Sequence, residues 1–274
     1  MNWTASLGWN RPTPQHYTRC NAGSPAFEIL DGVTPAPKVD LSNLVTTVLN
    51  QFSLGSCTCN SWAQVVHAAM VSAGLDPSTP YFSRLFAYFC ARLEDGNQAQ
   101  DTGSQNCTVA DALCRMGFPP ESAWPYDVSK FAQKPPMEAV WAAADQRGKV
   151  DTNYHRIDTM EGSPLLVVMK QNLTAGFMFN FGGPVTNAFC RGEIGTTPDN
   201  PVVPPIRDIA GGHSMVVVGY DDTLPWPVFK VLNSWGLDYG DGGYCYFDPS
   251  YFAAGTGQDM WTCRIAPRFS GGAL

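Results

Sequence analysis

The sequence predicts an α+β fold with two lobes, because the two halves of the chain carry different periodicities. In the first half, apolar residues recur at helical spacing and several segments end at glycine. In the second half, short stretches rich in β-branched and aromatic residues are bounded by Gly, Pro or Asp. Helices followed by strands favour two packed lobes over the regular alternation that builds a parallel sheet.

Five helices are predicted from apolar spacing and capping residues. The first begins at Cys57, runs to residue 73 and stops at Gly74. Thr79 is a candidate N-cap for the second helix, and Thr108–Asp111 resembles a capping box for the third, which ends at residue 117. The other two are expected over residues 136–147 and 163–172.

Strand signals dominate the rest of the chain. Five strands are expected, over residues 176–181, 214–220, 228–232, 243–247 and 261–265. A long proline-rich loop at residues 197–205 precedes the second strand, and loops of this length are usually functional sites or insertions.

We expect three regions along the chain. Residues 1–38 contain several prolines and little periodicity, which predicts an extended N-terminal arm. The opening residues lack the basic and apolar regions of a signal peptide. Residues 39–150 form the mainly helical lobe in this interpretation, and residues 151–274 form the β-rich lobe.

Composition and charge exclude several classes of partner from the prediction. The 274 residues are 44% apolar and only 15% charged, which suits a chain with a large buried core. The net charge is −7 and no run of Lys or Arg occurs, so neither nucleic acid nor an acidic membrane surface is an expected partner. No apolar stretch approaches the ~20 residues of a membrane-spanning helix.

Cys57 is the first candidate for chemistry. It follows Gln51-Phe-Ser-Leu-Gly-Ser and lies in the first turn of the central helix. Unpaired backbone N–H groups and the helix dipole at that position favour thiolate over thiol. Cys59, two residues on, lies near the apolar stripe and is expected to be a core residue. A cysteine at a loop–helix junction is equally compatible with a structural role, so other motifs must decide.

Two later motifs add to this signal. Gly211-Gly-His213 leads directly into the predicted strand 214–220, and Asn233-Ser-Trp-Gly236 closes the next strand. Taken singly, these residues are typical of a hydrogen-bonded structural histidine, a turn asparagine and a core tryptophan. The ordered set Gln, Cys, His and Asn-Ser-Trp-Gly is a far more specific signal of a catalytic site than any one of these motifs alone.

In this order the motifs resemble those of the papain-like cysteine peptidases. The likeness spans most of residues 39–250 and includes Trp124-Pro-Tyr126 and Gly240-Asp-Gly-Gly-Tyr244. The sequence Ser-Leu-Gly-Ser-Cys-Thr and the proline-rich loop before Gly-Gly-His are most similar to the corresponding segments of the bacterial and viral members. The resemblance implies a helical lobe that carries the nucleophile helix, packed against an antiparallel β-rich lobe.

The resemblance also implies catalytic roles. Cys57 is expected to be the nucleophile, as a thiolate paired with protonated His213, which then serves as general acid and base. Asn233 is expected to fix the orientation of the imidazole ring. Gln51 is expected to form the oxyanion hole together with the backbone N–H of Cys57.

Substrate-binding positions are expected at Gly103, Ser104 and Trp235, the last of which would also keep water away from the histidine. Two positions depart from the family pattern. Thr58 follows the nucleophile where an aromatic residue is usual, and Leu54 stands where a disulfide-forming cysteine is common.

The main hypothesis is a thiol protease, an endopeptidase that hydrolyses peptide bonds of peptide or protein substrates through a thioester on Cys57. It requires no metal and no cofactor. One alternative is a papain-fold structural or binding component, for example of a virus particle, with little general proteolysis. Another is a different acyl transfer on the same residues, such as amidase or transpeptidase chemistry.

The cysteines also predict a compartment. Nine is an odd number, no Cys-x-x-Cys occurs, and no histidine stands near enough to complete a familiar zinc pattern. We therefore expect mostly reduced thiols in a reducing environment, which means an intracellular or virion-associated protein. The sequence predicts neither substrate specificity nor a particular assembly partner.

Overall fold

The computed structural model describes residues 5–22, 30 and 32–267, which contain eight α-helices. The helices are α1 (Pro14–Ala22), α2 (Cys57–Ser72), α3 (Arg84–Glu94), α4 (Asn106–Met116), α5 (Met137–Lys149), α6 (Gly162–Thr174), α7 (Asn187–Cys190) and α8 (Pro249–Ala253). Within the described ranges, no helix combines the length and the hydropathy needed to cross a bilayer. Parts of the arm predicted at residues 1–38 lie outside the described residues.

One antiparallel sheet contains all seven strands of the described chain. They are β1 (Lys38–Asp40), β2 (Val150–Arg156), β3 (Phe179–Thr186), β4 (Ile209–Asp221), β5 (Val228–Leu232), β6 (Tyr244–Phe247) and β7 (Gln258–Pro267). Their spatial order is β2-β7-β3-β4-β5-β6, and β1 pairs with β4 beside this row. The predicted α+β fold with an antiparallel sheet is confirmed.

Strand β4 lies between two hydrophobic cores. Val216 and Val218 point into the core that surrounds helix α2, whereas Met215 and Val217 point into the core under α6 and α8. Successive side chains of a strand point to opposite faces, so a strand covered on both faces reads as an unbroken apolar run. The strand that carries His213 is therefore fixed from both sides.

Helix α2 is buried on nearly every side, which the sequence did not lead us to expect. We predicted a single apolar stripe, yet 14 of its 16 residues are buried. The helix packs against β4 and β7 on one side and against α3 and α4 on the other. Its polar side chains are satisfied locally; for example, Asn60 Nδ2 donates to Ser56 O at 3.0 Å. Cys57 thus begins a helix that is immobilised by the core.

Two predicted helix starts are wrong. Helix α3 is capped by Ser83, whose Oγ accepts from the backbone N–H of Phe86 at 3.2 Å, instead of by Thr79. Helix α4 begins at Asn106, so Thr108 lies inside the helix and forms no capping box.

The α4 cap comes from a distant part of the chain. Asp259 of β7 accepts from the backbone N–H groups of Asn106 and Cys107, at 2.7 and 3.2 Å. A carboxylate that stabilises a helix N-terminus from another element leaves no local sequence signal.

The arm and the edges of the sheet also differ from the prediction. The arm is not extended throughout, since residues Pro14–Ala22 form α1. Strand β1, at the start of the region predicted as helical, belongs to the sheet, and β2 was not predicted. Strand β4 begins at Ile209, so that His213 lies within the strand, opposite Gly183 of β3, instead of before it.

Candidate active site

Cys57 lies where the two lobes and the N-terminal arm meet. It is the first residue of α2 and is fully buried. Backbone N–H groups of Ser214 in β4 and Gly8 in the arm lie near enough to its sulfur to lower the pKa of the thiol, against the larger effect of burial. Because Ser214 directly follows His213, this contact joins the nucleophile helix to the strand that carries the predicted histidine.

The ring of His213 is held on two sides. Its Nε2 lies 2.8 Å from Oδ1 of Asn233, and its ring stacks on Trp235 with centroids 4.6 Å apart and an interplanar angle of 24°. The backbone N–H of Ser234 also donates to Asn233 Oδ1 at 2.7 Å, which identifies that atom as the acceptor. Nε2 therefore carries the hydrogen of the neutral ring.

The other ring nitrogen remains available as a base. Nδ1 of His213 is buried and has no hydrogen-bond partner among the described residues. A neutral imidazole with hydrogen on Nε2 carries its lone pair on Nδ1. This is the protonation pattern that a proton acceptor for a thiol requires.

Gln51 is connected to the same network. Its Oε1 accepts from Ser234 Oγ at 2.6 Å, and its Nε2 donates to the carbonyl oxygens of Leu54 and Ser6, at 2.9 and 3.1 Å. Ser6 belongs to the arm, so a carbonyl of the chain itself already contacts the predicted oxyanion donor. The role of Ser234 was missed, although it lies inside the Asn-Ser-Trp-Gly motif.

The arm occupies the cleft between the lobes. The backbone N–H groups of Gly8 and Trp9 both donate to Gly212 O at 3.1 Å. On the opposite wall, Ser104 N–H donates to Gly8 O at 2.8 Å, and Asn10 N–H donates to Ser104 O at 3.0 Å. The arm thus bridges the helical lobe and the β-rich lobe, and Gly8 lies against Gly55, two residues before Cys57.

All three positions predicted to bind substrate contact this arm. Ser104 pairs with it through the backbone, and Trp235 Nε1 donates to Ser6 O at 3.2 Å. A Cβ at Gly103 would overlap the carbonyl oxygen of Gly8. A role for these residues in substrate binding stays a prediction.

Burial decides the charge state of the pair. Desolvation raises the pKa of the Cys57 thiol to about 12, against the opposing effect of the backbone N–H groups. Desolvation lowers the pKa of His213 to about 4, against the hydrogen bond with Asn233. Both groups are neutral in this arm-closed structure, whereas the sequence led us to expect a thiolate and an imidazolium.

Comparison with known proteins identifies the family. The sequence profile described as "Papain family cysteine protease" matches residues 36–256, which is well over half of the chain. The chain belongs to the papain family. The match begins after most of the arm and includes every residue predicted here to be catalytic.

Individual papain-family relatives and structures agree with this assignment. A peptidase C1-like protein of Acanthamoeba polyphaga mimivirus is 29% identical over 85% of this chain and 75% of its own length. Cysteine proteinase 2 of Entamoeba histolytica is 25% identical over 73% of this chain, but only 59% of its own length is covered.

Solved structures of the papain family share the fold. Xylellain, a cysteine protease from Xylella fastidiosa, matches with a TM-score of 0.78 at 23% identity, covering 96% of this chain and 98% of that one. Procathepsin B of Trypanosoma congolense matches with a TM-score of 0.62 at 15% identity, covering 97% and 84%. The chain is a papain-like thiol protease with peptide or protein substrates.

Proposed function

We propose that this cysteine protease is an endopeptidase whose nucleophile is Cys57 and whose cleft is closed by its own N-terminal arm. The observation that carries the proposal is the 2.8 Å hydrogen bond between His213 Nε2 and Asn233 Oδ1. It leaves Nδ1 of the ring without a hydrogen-bond partner among the described residues, on the strand whose next residue, Ser214, influences the pKa of Cys57. The papain-fold scaffold without proteolysis is not favoured, because all four predicted catalytic side chains are present and three of them, Gln51, His213 and Asn233, share one hydrogen-bonded network through Ser234.

The first half of the reaction uses the free nitrogen of His213. Nδ1 takes the proton of the Cys57 thiol, and the sulfur attacks the carbonyl carbon of the scissile bond. The negative charge on the carbonyl oxygen is stabilised by Gln51 Nε2 and the Cys57 backbone N–H. Collapse of this intermediate breaks the C–N bond, and the imidazolium protonates the departing amine. A thioester on Cys57 remains.

The second half returns the enzyme to its starting state. His213 takes a proton from a water molecule, whose oxygen attacks the thioester carbonyl. The C–S bond breaks, the carboxylic acid product is released, and the His213 imidazolium returns its proton to the departing sulfur, which restores the neutral thiol and imidazole. Asn233 keeps the ring in one orientation throughout, and Trp235 shields their contact from solvent.

For the surroundings of the enzyme we propose a reducing compartment, either inside a cell or within a virus particle. None of the nine cysteines forms a disulfide, and one of the similar proteins is encoded by a virus. The net charge of −7 supports peptide substrates over nucleic acid or acidic membranes as partners.

Alkylation of the cysteines tests the proposal without any substrate. A Cβ at residue 8 would overlap the backbone carbonyl of Gly55, so Gly8→Ala should displace the arm. In the native protein, a thiol pKa of about 12 keeps Cys57 protonated at neutral pH. Its reaction with iodoacetamide should be slow at pH 7 and should rise about tenfold per pH unit.

In Gly8→Ala we expect fast alkylation of Cys57 with a plateau between about pH 6 and 8, because the exposed sulfur can form an ion pair with His213. Adding His213→Ala should remove the plateau. Gly148→Ala serves as the matched control, since a Cβ there meets open space. Mass mapping of the modified cysteines gives the rates, and slow uniform labelling of several cysteines in Gly8→Ala would contradict the proposal.

Ser234 provides a test of the oxyanion donor. Removing its hydroxyl leaves Gln51 Oε1 without the 2.6 Å hydrogen bond that holds the amide in position. In the Gly8→Ala background we expect Ser234→Ala to lower kcat by about tenfold with KM nearly unchanged, less than the ~100–1000-fold for loss of a direct donor. Ser78→Ala at the surface is the control. An equal loss of kcat in Ser234→Ala and Ser78→Ala would exclude a positioning role for Ser234.

A further inference from the structure

Tyr126 contacts both ends of the loop that leads into the nucleophile. This loop, residues 51–56, begins at Gln51 and ends directly before Cys57. The Tyr126 hydroxyl donates to the Gln51 carbonyl oxygen at 2.9 Å, and it lies 2.5 Å from Ser56 Oγ. One side chain therefore joins the first and last residues of the loop.

The hydrogen bonds at this hydroxyl have a defined direction. A carbonyl oxygen can only accept, so Tyr126 donates its single hydrogen to Gln51, and Ser56 Oγ donates to the Tyr126 oxygen. Ser56 Oγ in turn accepts from Asn60 Nδ2 at 3.0 Å. Arg84 Nη1 donates to Asn60 Oδ1 at 2.9 Å, which fixes the orientation of that amide. These groups form a one-way chain of donors that ends at the Gln51 carbonyl.

Tyr126, the last residue of the Trp124-Pro-Tyr126 motif, is itself fixed by the helical lobe. The Arg84 guanidinium lies 4.0 Å from the centroid of its ring, and Arg84 Nη2 donates to Glu121 Oε1 at 2.9 Å. The backbone N–H of Tyr126 donates to the same Glu121 oxygen at 3.1 Å. Burial raises the pKa of Tyr126 to about 12, so the phenol keeps its hydrogen at neutral pH.

The ends of the loop carry the two donors expected to bind the oxyanion. Gln51 supplies its Nε2, and Cys57, which follows Ser56, supplies its backbone N–H. Donors of this kind act only when both lie about 3 Å from the oxygen that becomes charged. A hydrogen bond between the ends of the loop sets their separation, and with it the separation of the two donors.

We propose that Tyr126 is a positioning residue of the oxyanion hole, which sets the separation of Gln51 and Cys57 through the Ser56 hydroxyl. This inference rests on the proposed function, because it requires that an oxyanion forms between these two donors. The role is distinct from that of Ser234, whose hydroxyl contacts the side chain of Gln51. Tyr126 acts through the backbone of the loop and does not contact the substrate.

The first test removes the hydroxyl alone. Tyr126→Phe in the Gly8→Ala background keeps the ring, and we expect kcat to fall about tenfold with KM nearly unchanged, because only stabilisation of the transition state is lost. Tyr81→Phe is the matched control, since the Tyr81 hydroxyl bonds to Gln64 Oε1 at 3.1 Å in the same lobe. Its kcat should stay within about twofold of the Gly8→Ala value. Equal losses in the two variants would overturn the inference.

Two reagents separate positioning of the oxyanion hole from a general loosening of the site. Iodoacetamide reacts when the Cys57 sulfur displaces iodide from carbon, which forms no oxyanion. Its rate and pH plateau should therefore be the same in Tyr126→Phe as in Gly8→Ala alone. A peptide aldehyde instead adds the thiol across its C=O bond: the sulfur bonds to carbon, and the oxygen takes up the proton inside the oxyanion hole.

The inhibition constant of this aldehyde, made from a peptide that Gly8→Ala cleaves, should rise about tenfold in Tyr126→Phe, in parallel with the loss of kcat. Unchanged inhibition by the aldehyde would overturn the inference. Loss of the alkylation plateau would also overturn it, because Tyr126 would then act on the nucleophile and not on the oxyanion donors.

Ser56→Ala breaks the same chain from its other side, and it decides the matter if Tyr126→Phe does not fold. Ser56 is the N-cap residue of α2, but its side chain accepts no hydrogen bond from the helix backbone, so the substitution removes no cap. We expect the same loss of kcat, about tenfold, and no larger loss in the double variant, because one chain serves both residues. Losses that multiply in the double variant would contradict a shared chain.

The two hypotheses fail in different ways. If Gly8→Ala neither cleaves peptides nor shows selective alkylation of Cys57, the proposed function is wrong. If Gly8→Ala cleaves peptides and Tyr126→Phe and Ser56→Ala in that background cleave them equally fast, only the role of Tyr126 is wrong.

Discussion

Gly8→Ala is expected to raise the peptidase activity of the 274-residue chain at least about tenfold, a change of ~1.4 kcal/mol in the balance between closed and open arm. The backbone of Gly8 lies against that of Gly55, and a methyl group there would overlap the Gly55 carbonyl. The arm would have to move as a whole, because backbone atoms cannot rotate away as a side chain does. Cleavage of a fluorogenic peptide mixture measures the effect.

Two controls make this result specific. Gly148→Ala in helix α5 introduces the same methyl group into open space and should leave activity at the native level. Thermal unfolding of both variants should show that the lobes remain folded. Activity of Gly8→Ala no higher than that of the native chain, with Cys57 freely alkylated, would show that arm displacement alone is insufficient for turnover.

Cys57→Ala in the Gly8→Ala background is expected to abolish turnover, with a loss of at least about 1000-fold in kcat. Without the sulfur no thioester forms, and the remaining groups of the site contribute only binding and oxyanion stabilisation. Single-turnover assays with the same peptides give the residual rate.

Cys190→Ala is the matched control for this loss. Cys190 is a half-buried cysteine at the end of the short helix α7, outside the cleft. Its substitution should leave kcat within about twofold of the Gly8→Ala value, as is usual for changes away from a site. Substantial cleavage by Cys57→Ala would mean that a different residue attacks the substrate.

The catalytic proposal could be derived from the sequence because each residue is tied to a local structural signal. Cys57 opens a helix with a clear apolar pattern, and Asn233 closes a strand whose bounds, Val228–Leu232, agree with the prediction. Four such signals in a fixed order are rarely accidental. The strand that carries His213 was also recognised, although it begins five residues earlier than expected.

Other features could not be derived, because single residues far apart in the sequence create them. Trp9 Nε1 donates to Asp259 from 250 positions away, and neither residue belongs to a motif. Strand β2 is polar and lies at the edge of the sheet, so it lacks the alternation that marks a half-buried strand. Neutral charge states at Cys57 and His213 follow from their complete burial, which only the folded chain reveals.

The covalent continuity of the arm with the enzyme has a consequence for its control. Helix α1 fastens the arm to the helical lobe, where Arg19 lies 3.3 Å from Asp95 and 3.1 Å from Thr108 Oγ1. A tethered blocking segment is present at a high effective concentration that does not depend on how much protein is in solution. Dilution would therefore not release the enzyme, unlike one restrained by a separate inhibitor. Activation must act on the segment itself, by cutting it or by pulling it from the groove.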